Sequence, residues 1–184
     1  MVSRKGFVEA LRLLLDEGFR FTVIGGSVVE IALGSRDLGA DIDVFSEHPS
    51  VFDEQAFFEL ASSRNLVLGQ TWLGTPRLII RTASEEVPVE FYENLFDFYI
   101  PEEMIEESQR VSLDSLRIKA ISVEDHIVLK ANAGRSMDLD RLSEISRLIK
   151  RGRLEVRRDM IIKRAKLFDD EKTIIRRLRD SGIL

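Results

Sequence analysis

Apolar positions along the chain change period several times, and each change predicts a new element. Phe7, Leu11, Leu14 and Leu15 recur at helical spacing, so residues 7–16 are expected to form a helix that Gly18 closes. Residues 19–24 form a short apolar run that enters Gly25-Gly26, the pattern of a buried strand feeding a turn. Ser27 is placed to cap a short helix over 28–33, ended by Gly34. Residues 41–45 then alternate acidic and apolar, as a strand with one wet face does. A helix is expected over 52–64, with strands at 66–72, 77–82 and 87–92. The signal weakens from Pro101 through the acidic stretch to Gln109, after which 116–120 again reads as a strand.

Beyond this point only helices are expected. Ser122-Val123-Glu124-Asp125 has the form of a capping box opening a helix to about Ala133, with Gly134 behind it. Further helices are predicted over 138–150, 155–168 and 170–179. The expected fold class is therefore α/β (α+β), a mixed sheet flanked by helices and followed by a small C-terminal helical bundle. The corresponding domains are 1–121 and 122–184. Trp72 and the eleven phenylalanines are assigned to the core, and His48, before Pro49, to a loop. His126 is given a capping or packing role, and Asp138 and Asp140 a favourable place at a helix N-terminus.

Composition narrows the chemistry. Across 184 residues, 44% are hydrophobic and 32% charged, the balance of a soluble globular chain, and no apolar run nears the roughly 20 residues of a membrane span. Without cysteine, disulfides and thiolate-bound zinc are excluded, and two histidines exclude a histidine-rich metal site. A reducing, cytoplasmic setting is the resulting expectation. The net charge of −5 is unevenly spread: from Arg141 onward there are 14 basic and 7 acidic residues. Solvated helices account for that basic tail most simply, with docking of RNA or a protein partner as the sharper alternative.

Three features converge on one chemistry. A strand-to-turn passage at Gly25-Gly26-Ser27 lets phosphate oxygens approach backbone N–H groups closely. Asp41 and Asp43 alternate with Ile42 and Val44, so both carboxylates share one face of a strand, where their repulsion favours an intervening cation. All-oxygen ligation suits magnesium or manganese. Glu90, set between Val89 and Phe91, would add a third carboxylate if its strand lies beside that of Asp43, with Glu93 and Asp97 as rivals.

The span from Val23-Ile24-Gly25-Gly26-Ser27 to Asp41-Ile42-Asp43-Val44, with 13 intervening residues, resembles the signature of the DNA polymerase beta-type nucleotidyltransferase superfamily. The segment Ser122–Lys130, followed by Asp138-Leu139-Asp140, is similar to the helical part of small stand-alone prokaryotic members. This resemblance implies that Gly25, Gly26 and Ser27 hold a triphosphate and that Asp41, Asp43 and Glu90 are catalytic and metal-binding. Glu90 would assist the acceptor hydroxyl. Arg36 and Lys130 are further candidates for the nucleotide. Where small members often place Thr or Ser shortly before the first Asp, this chain has Gly39-Ala40. The implied activity is magnesium-dependent transfer of a nucleotidyl group from a nucleoside triphosphate to a hydroxyl of an RNA, a protein or a small molecule such as an aminoglycoside. The alternative is an antitoxin-like or regulatory protein that uses the same fold to bind a partner, favoured if its last two helices expose an apolar stripe.

Overall fold

The computed structural model describes all 184 residues. They divide into two compact units, one of residues 1–99 and 108–120, the other of 100–107 and 121–184.

The first unit contains the whole sheet. Its strands are β1 (Arg20–Val23), β2 (Ile42–His48), β3 (Val67–Gln70), β4 (Pro76–Arg81), β5 (Glu86–Tyr92), β6 (Gln109–Leu113) and β7 (Leu116–Ala120), in the spatial order β3-β4-β5-β2-β1-β7-β6. β2 pairs parallel with β5, and β1 parallel with β7; the remaining pairs are antiparallel. The sheet is mixed, and the fold is α/β.

Three helices accompany it. α1 (Arg4–Asp16) is capped by Ser3, whose side chain accepts from the Gly6 N–H, and buries Phe7, Leu11 and Leu14 on one face. α2 (Ser27–Ala32) is a short piece after β1. α3 (Glu54–Arg64) starts at an Asp53 cap and ends at Asn65 in the left-handed conformation. Phe57 from α3 meets Phe19 and Phe91 edge-on, with ring centroids 5.4 and 4.9 Å away. That aromatic cluster locks α3 onto the core beside β5.

The second unit is helical: α4 (Glu102–Glu106), α5 (Val123–Ala133), α6 (Ser136–Lys150), α7 (Arg158–Ala165) and α8 (Glu171–Asp180). The Ser122 capping box of α5 is present in full, with the Ser122 side chain accepting from the Asp125 N–H and Asp125 accepting from the Ser122 N–H. Its αL cap is Gly134. Asp125 also meets Arg164 of α7 at 2.7 Å, both side chains being buried, while a second guanidinium nitrogen of Arg164 lies 2.9 Å from Glu107. Arg164 thereby ties α4, α5 and α7 together. Asp138 closes a capping box at the start of α6 and pairs with Lys130 and Arg135, each at 2.7 Å. No helix is long and apolar enough to cross a membrane.

Several expectations need correction. α4 and β6 arise in the stretch 102–113 that carried no clear periodicity, because neither has a regular apolar face of its own. Trp72 is 70% exposed, in the turn between β3 and β4 that the Thr71–Thr75 hydroxyl pair fastens, outside the core. Phe52, Phe58 and Phe96 are exposed as well. Phe58 follows the buried Phe57 by one residue and so points about 100° away from it around the helix. Phe96 sits at positive φ in the tight turn that Leu95 and Phe98 close with paired backbone hydrogen bonds. His48 ends β2 rather than lying in a loop. His126 is fully buried on α5, as a packing role requires.

Candidate active site

The site is assembled where β1, β2 and β5 run side by side. Val23 is in register with Val44, and the Ile24 N–H donates to the Asp43 carbonyl at 3.0 Å, which draws the end of β1 alongside the first residues of β2. Gly25 follows at φ +73°, and a Cβ there would sit 2.1 Å from Oδ2 of Asp43 and 2.9 Å from its Cβ. Only glycine fits, on both conformational and steric grounds. The Asp43 carboxylate thus lies directly against the backbone of the glycine turn. Gly26 is different: it has ordinary helical dihedrals as the cap of α2, and the space where its Cβ would stand is open.

Ser27 does not perform the capping role expected of it. Gly26 occupies the cap position, and the buried Ser27 hydroxyl donates back to the Ile24 carbonyl at 3.3 Å. A hydroxyl committed to the preceding turn is not offered outward, so a ligand at this turn is left to the backbone N–H groups that a helix start does not pair internally.

Along β2 the expected alternation holds: Ile42 and Val44 are buried while Asp41, just before the strand, and Asp43 are half-buried. β5 lies parallel to β2 with Glu90 in register with Asp43, and Val87, Val89 and Phe91 face the core. Burial, and next the neighbouring Glu90 charge, push the Asp41 carboxyl above its ordinary range, with Arg77 opposing. Glu90 has a charge partner on one side and a hydrogen-bond donor on the other. Arg77, its register partner on β4, places Nε 3.4 Å from Oε1, and the Tyr92 hydroxyl donates to Oε2 at 2.5 Å. Tyr92 holds its proton far more tightly than an ordinary tyrosine, first because it is desolvated, then because it donates to Glu90, with Asp43 and Asp41 adding negative charge. Three carboxylates, one guanidinium and one phenol therefore form a single electrostatic neighbourhood.

The donor set is all oxygen and suits a hard divalent ion. As they stand, no three acidic or histidine side chains converge as ready ligands for one ion. Glu90 is engaged by Arg77 and Tyr92. The rival Glu93 is engaged elsewhere, accepting from the Val51 N–H at 2.8 Å and from Ser50. Arg36 is exposed in the loop between α2 and β2, where its carbonyl accepts from the Arg4 N–H. Lys130 belongs to α5 of the second unit, paired with Asp138. A cavity of about 420 Å³ lies at the opposite end of β2, lined by Glu17, Phe19, His48, Pro49 and Leu60, and includes none of the three carboxylates.

Arg77 and Tyr92 are the site residues that sequence reasoning did not find. Tyr92 is two residues past Glu90 on a strand, hence on the same face, a signal that was present. Arg77 is reached only through the β4–β5 register, which periodicity does not reveal.

Residues 3–180 match the model of a family described as nucleotidyl transferase of unknown function (DUF2204). The chain belongs to this family. No protein of curated function matches it. Among solved structures, an antigenic nucleotidyltransferase-like protein from Paracoccidioides brasiliensis superposes with a TM-score of 0.50 at 14% identity, over 97% of this chain and 75% of that one. At that identity the likeness concerns the fold. The antibiotic-resistance factor ANT(2'')-Ia, in a crystal structure with adenylyl-2''-tobramycin, aligns with a TM-score of 0.48 at 10% identity, over 98% of this chain and 97% of that one. On α7 and α8, Ile162 is the one large hydrophobic side chain that is exposed, so no apolar stripe runs along the last two helices.

Proposed function

We propose that this nucleotidyltransferase-family chain moves a nucleotidyl group from a nucleoside triphosphate to a hydroxyl acceptor, in the manner of the DNA polymerase beta-type superfamily. The observation that carries this reading is the contact of Asp43 with Gly25: a carboxylate lies directly beside the glycine turn that starts α2. That juxtaposition puts groups suited to a cation next to groups suited to a phosphate. The register of Glu90 with Asp43 supports a third carboxylate acting with them.

In this mechanism the backbone at Gly25, Gly26 and Ser27 receives the triphosphate, with Arg36 as a further cationic contact; Lys130, paired with Asp138 within the second unit, is given no part in it. Asp41 and Asp43, with Glu90 as a third oxygen donor on the acceptor side, would hold magnesium or manganese, which would supply charge neutralisation on the phosphates and a lower pKa for the attacking hydroxyl. Glu90 serves the acceptor and takes the hydroxyl proton. A bond forms between the acceptor oxygen and the α-phosphorus, the bond from that phosphorus to the bridging oxygen breaks, and pyrophosphate departs. An RNA end, a protein side chain and an aminoglycoside-like small molecule are the acceptor classes to be screened.

The test is transfer of α-labelled nucleotide with pyrophosphate release, comparing wild type with Asp41→Asn. Loss of metal-dependent release in a variant of unchanged stability is expected. Release at the wild-type rate from the variant refutes the assignment of Asp41.

A further inference from the structure

We propose that Tyr92 is the positioning residue for Glu90, and this rests on the reading of Glu90 as a functional carboxylate. Glu90 is a flexible side chain on a strand, with three torsions to be fixed before its carboxylate can serve one place. Its backbone is fixed by the register of β5 with β2, which sets Glu90 beside Asp43. The far end of the side chain is fixed separately. The Tyr92 hydroxyl donates to Oε2 at 2.5 Å, while Oε1 faces Arg77 at 3.4 Å.

A hydrogen bond orients its acceptor only as well as the donor is itself held. Tyr92 is held on all sides. The residue is 6% exposed, and its ring stacks on Phe98, with centroids 4.9 Å apart and planes 23° from parallel. Phe98 is in turn fixed by the reciprocal backbone hydrogen bonds between Leu95 and Phe98. Tyr92 itself is a ladder residue of β5, opposite Phe45 of β2. The phenol oxygen is therefore a fixed point at the end of a packed ring, and Oε2 of Glu90 is pinned to it. Arg77 does not supply this constraint: its side chain is 39% exposed and its nearest approach is long for a hydrogen bond. The arrangement follows the rule that a ligating carboxylate is oriented by an outer partner whose own position is locked by packing.

Tyr92→Phe removes one oxygen and leaves the ring and its stack, so the fold is retained. The experiment is a manganese titration followed by electron paramagnetic resonance, on wild type, Tyr92→Phe, Glu90→Gln, the double variant and Asp43→Asn. We expect Tyr92→Phe to weaken manganese binding about tenfold while remaining folded, with no more loss of thermal stability than one hydrogen bond accounts for, and to have no further effect once Glu90 is Gln. Wild-type affinity in Tyr92→Phe overturns the positioning role; if Asp43→Asn still loses the ion, the function reading stands without it. An equal loss in the Glu90→Gln background also overturns it, because Tyr92 then acts through packing and not through Glu90. No manganese binding by wild type overturns both this inference and the metal-site reading.

Discussion

Substituting alanine at Gly25 and at Gly26 separates a chemical role for the glycine turn from simple punctuation. At Gly25 the new Cβ meets three atoms of Asp43, at 2.1, 2.8 and 2.9 Å. The first is the tip of the side chain and could swing away, but the last is the Asp43 Cβ, so β2 or the turn itself must shift. The residue also sits at φ +73°, which costs an alanine about 1–2 kcal/mol. With about 1–3 kcal/mol for forcing an extra carbon into a filled place, Gly25→Ala is expected to lose roughly 2–5 kcal/mol. Gly26 has φ −68° and open space at its Cβ position, so Gly26→Ala should change stability by no more than about 1 kcal/mol. Urea unfolding measures the two stabilities, and manganese titration the state of Asp43. Gly25→Ala should lose the ion even under conditions where it is fully folded, because its Cβ occupies the place of the Asp43 carboxylate. Equal stability and equal metal binding in the two variants refute the geometry from which the site is argued.

Further outcomes follow from the packing and the buried charges. Burial, and then the nearby Lys130 and Arg141 charges, push the His126 imidazole down to about 3 from its ordinary 6.5. The unfolded chain therefore binds a proton there between about pH 6.5 and pH 3 that the folded chain refuses. Stability is complete above pH 6.5 and falls by up to about 1.4 kcal/mol per pH unit below it, a slope that His126→Leu should flatten in urea melts. Arg164→Ala leaves the buried Asp125 carboxylate without its cation and should cost about 3–5 kcal/mol by denaturant unfolding; a loss under 1 kcal/mol contradicts that. Phe57→Ala empties the centre of the Phe19–Phe91 cluster and should cost about 3–5 kcal/mol, against little for the exposed neighbour Phe58→Ala.

What the sequence revealed and what it concealed divide along the range of the interactions involved. Local chemistry was legible: the Ser122 capping box, Gly134 at the end of α5 and the alternation through Ile42 and Val44 each depend on residues a few positions apart. The mixed α/β sheet followed from the same periodicities. Glu90 could be nominated because its strand has a clear buried face, yet its placement beside Asp43 is a matter of strand order, which no local pattern encodes. Arg77 stayed hidden for that reason. The exposure of Phe58 and Trp72 shows the opposite error, in which a residue type was read without its angle on the helix or its place in a turn. Ser27 failed as a cap because Gly26 already held the position, a shift of one residue that helix signals do not resolve.

The central claim is that Asp43 and the glycine turn together make a metal-dependent nucleotide site. Isothermal titration of the four ribonucleoside triphosphates, with and without magnesium, into wild type and Asp43→Asn tests it most directly. Binding that requires magnesium and disappears in Asp43→Asn is the predicted result, and it also identifies the preferred base. Absence of binding to well-folded wild type, or equal binding to both proteins, contradicts the claim.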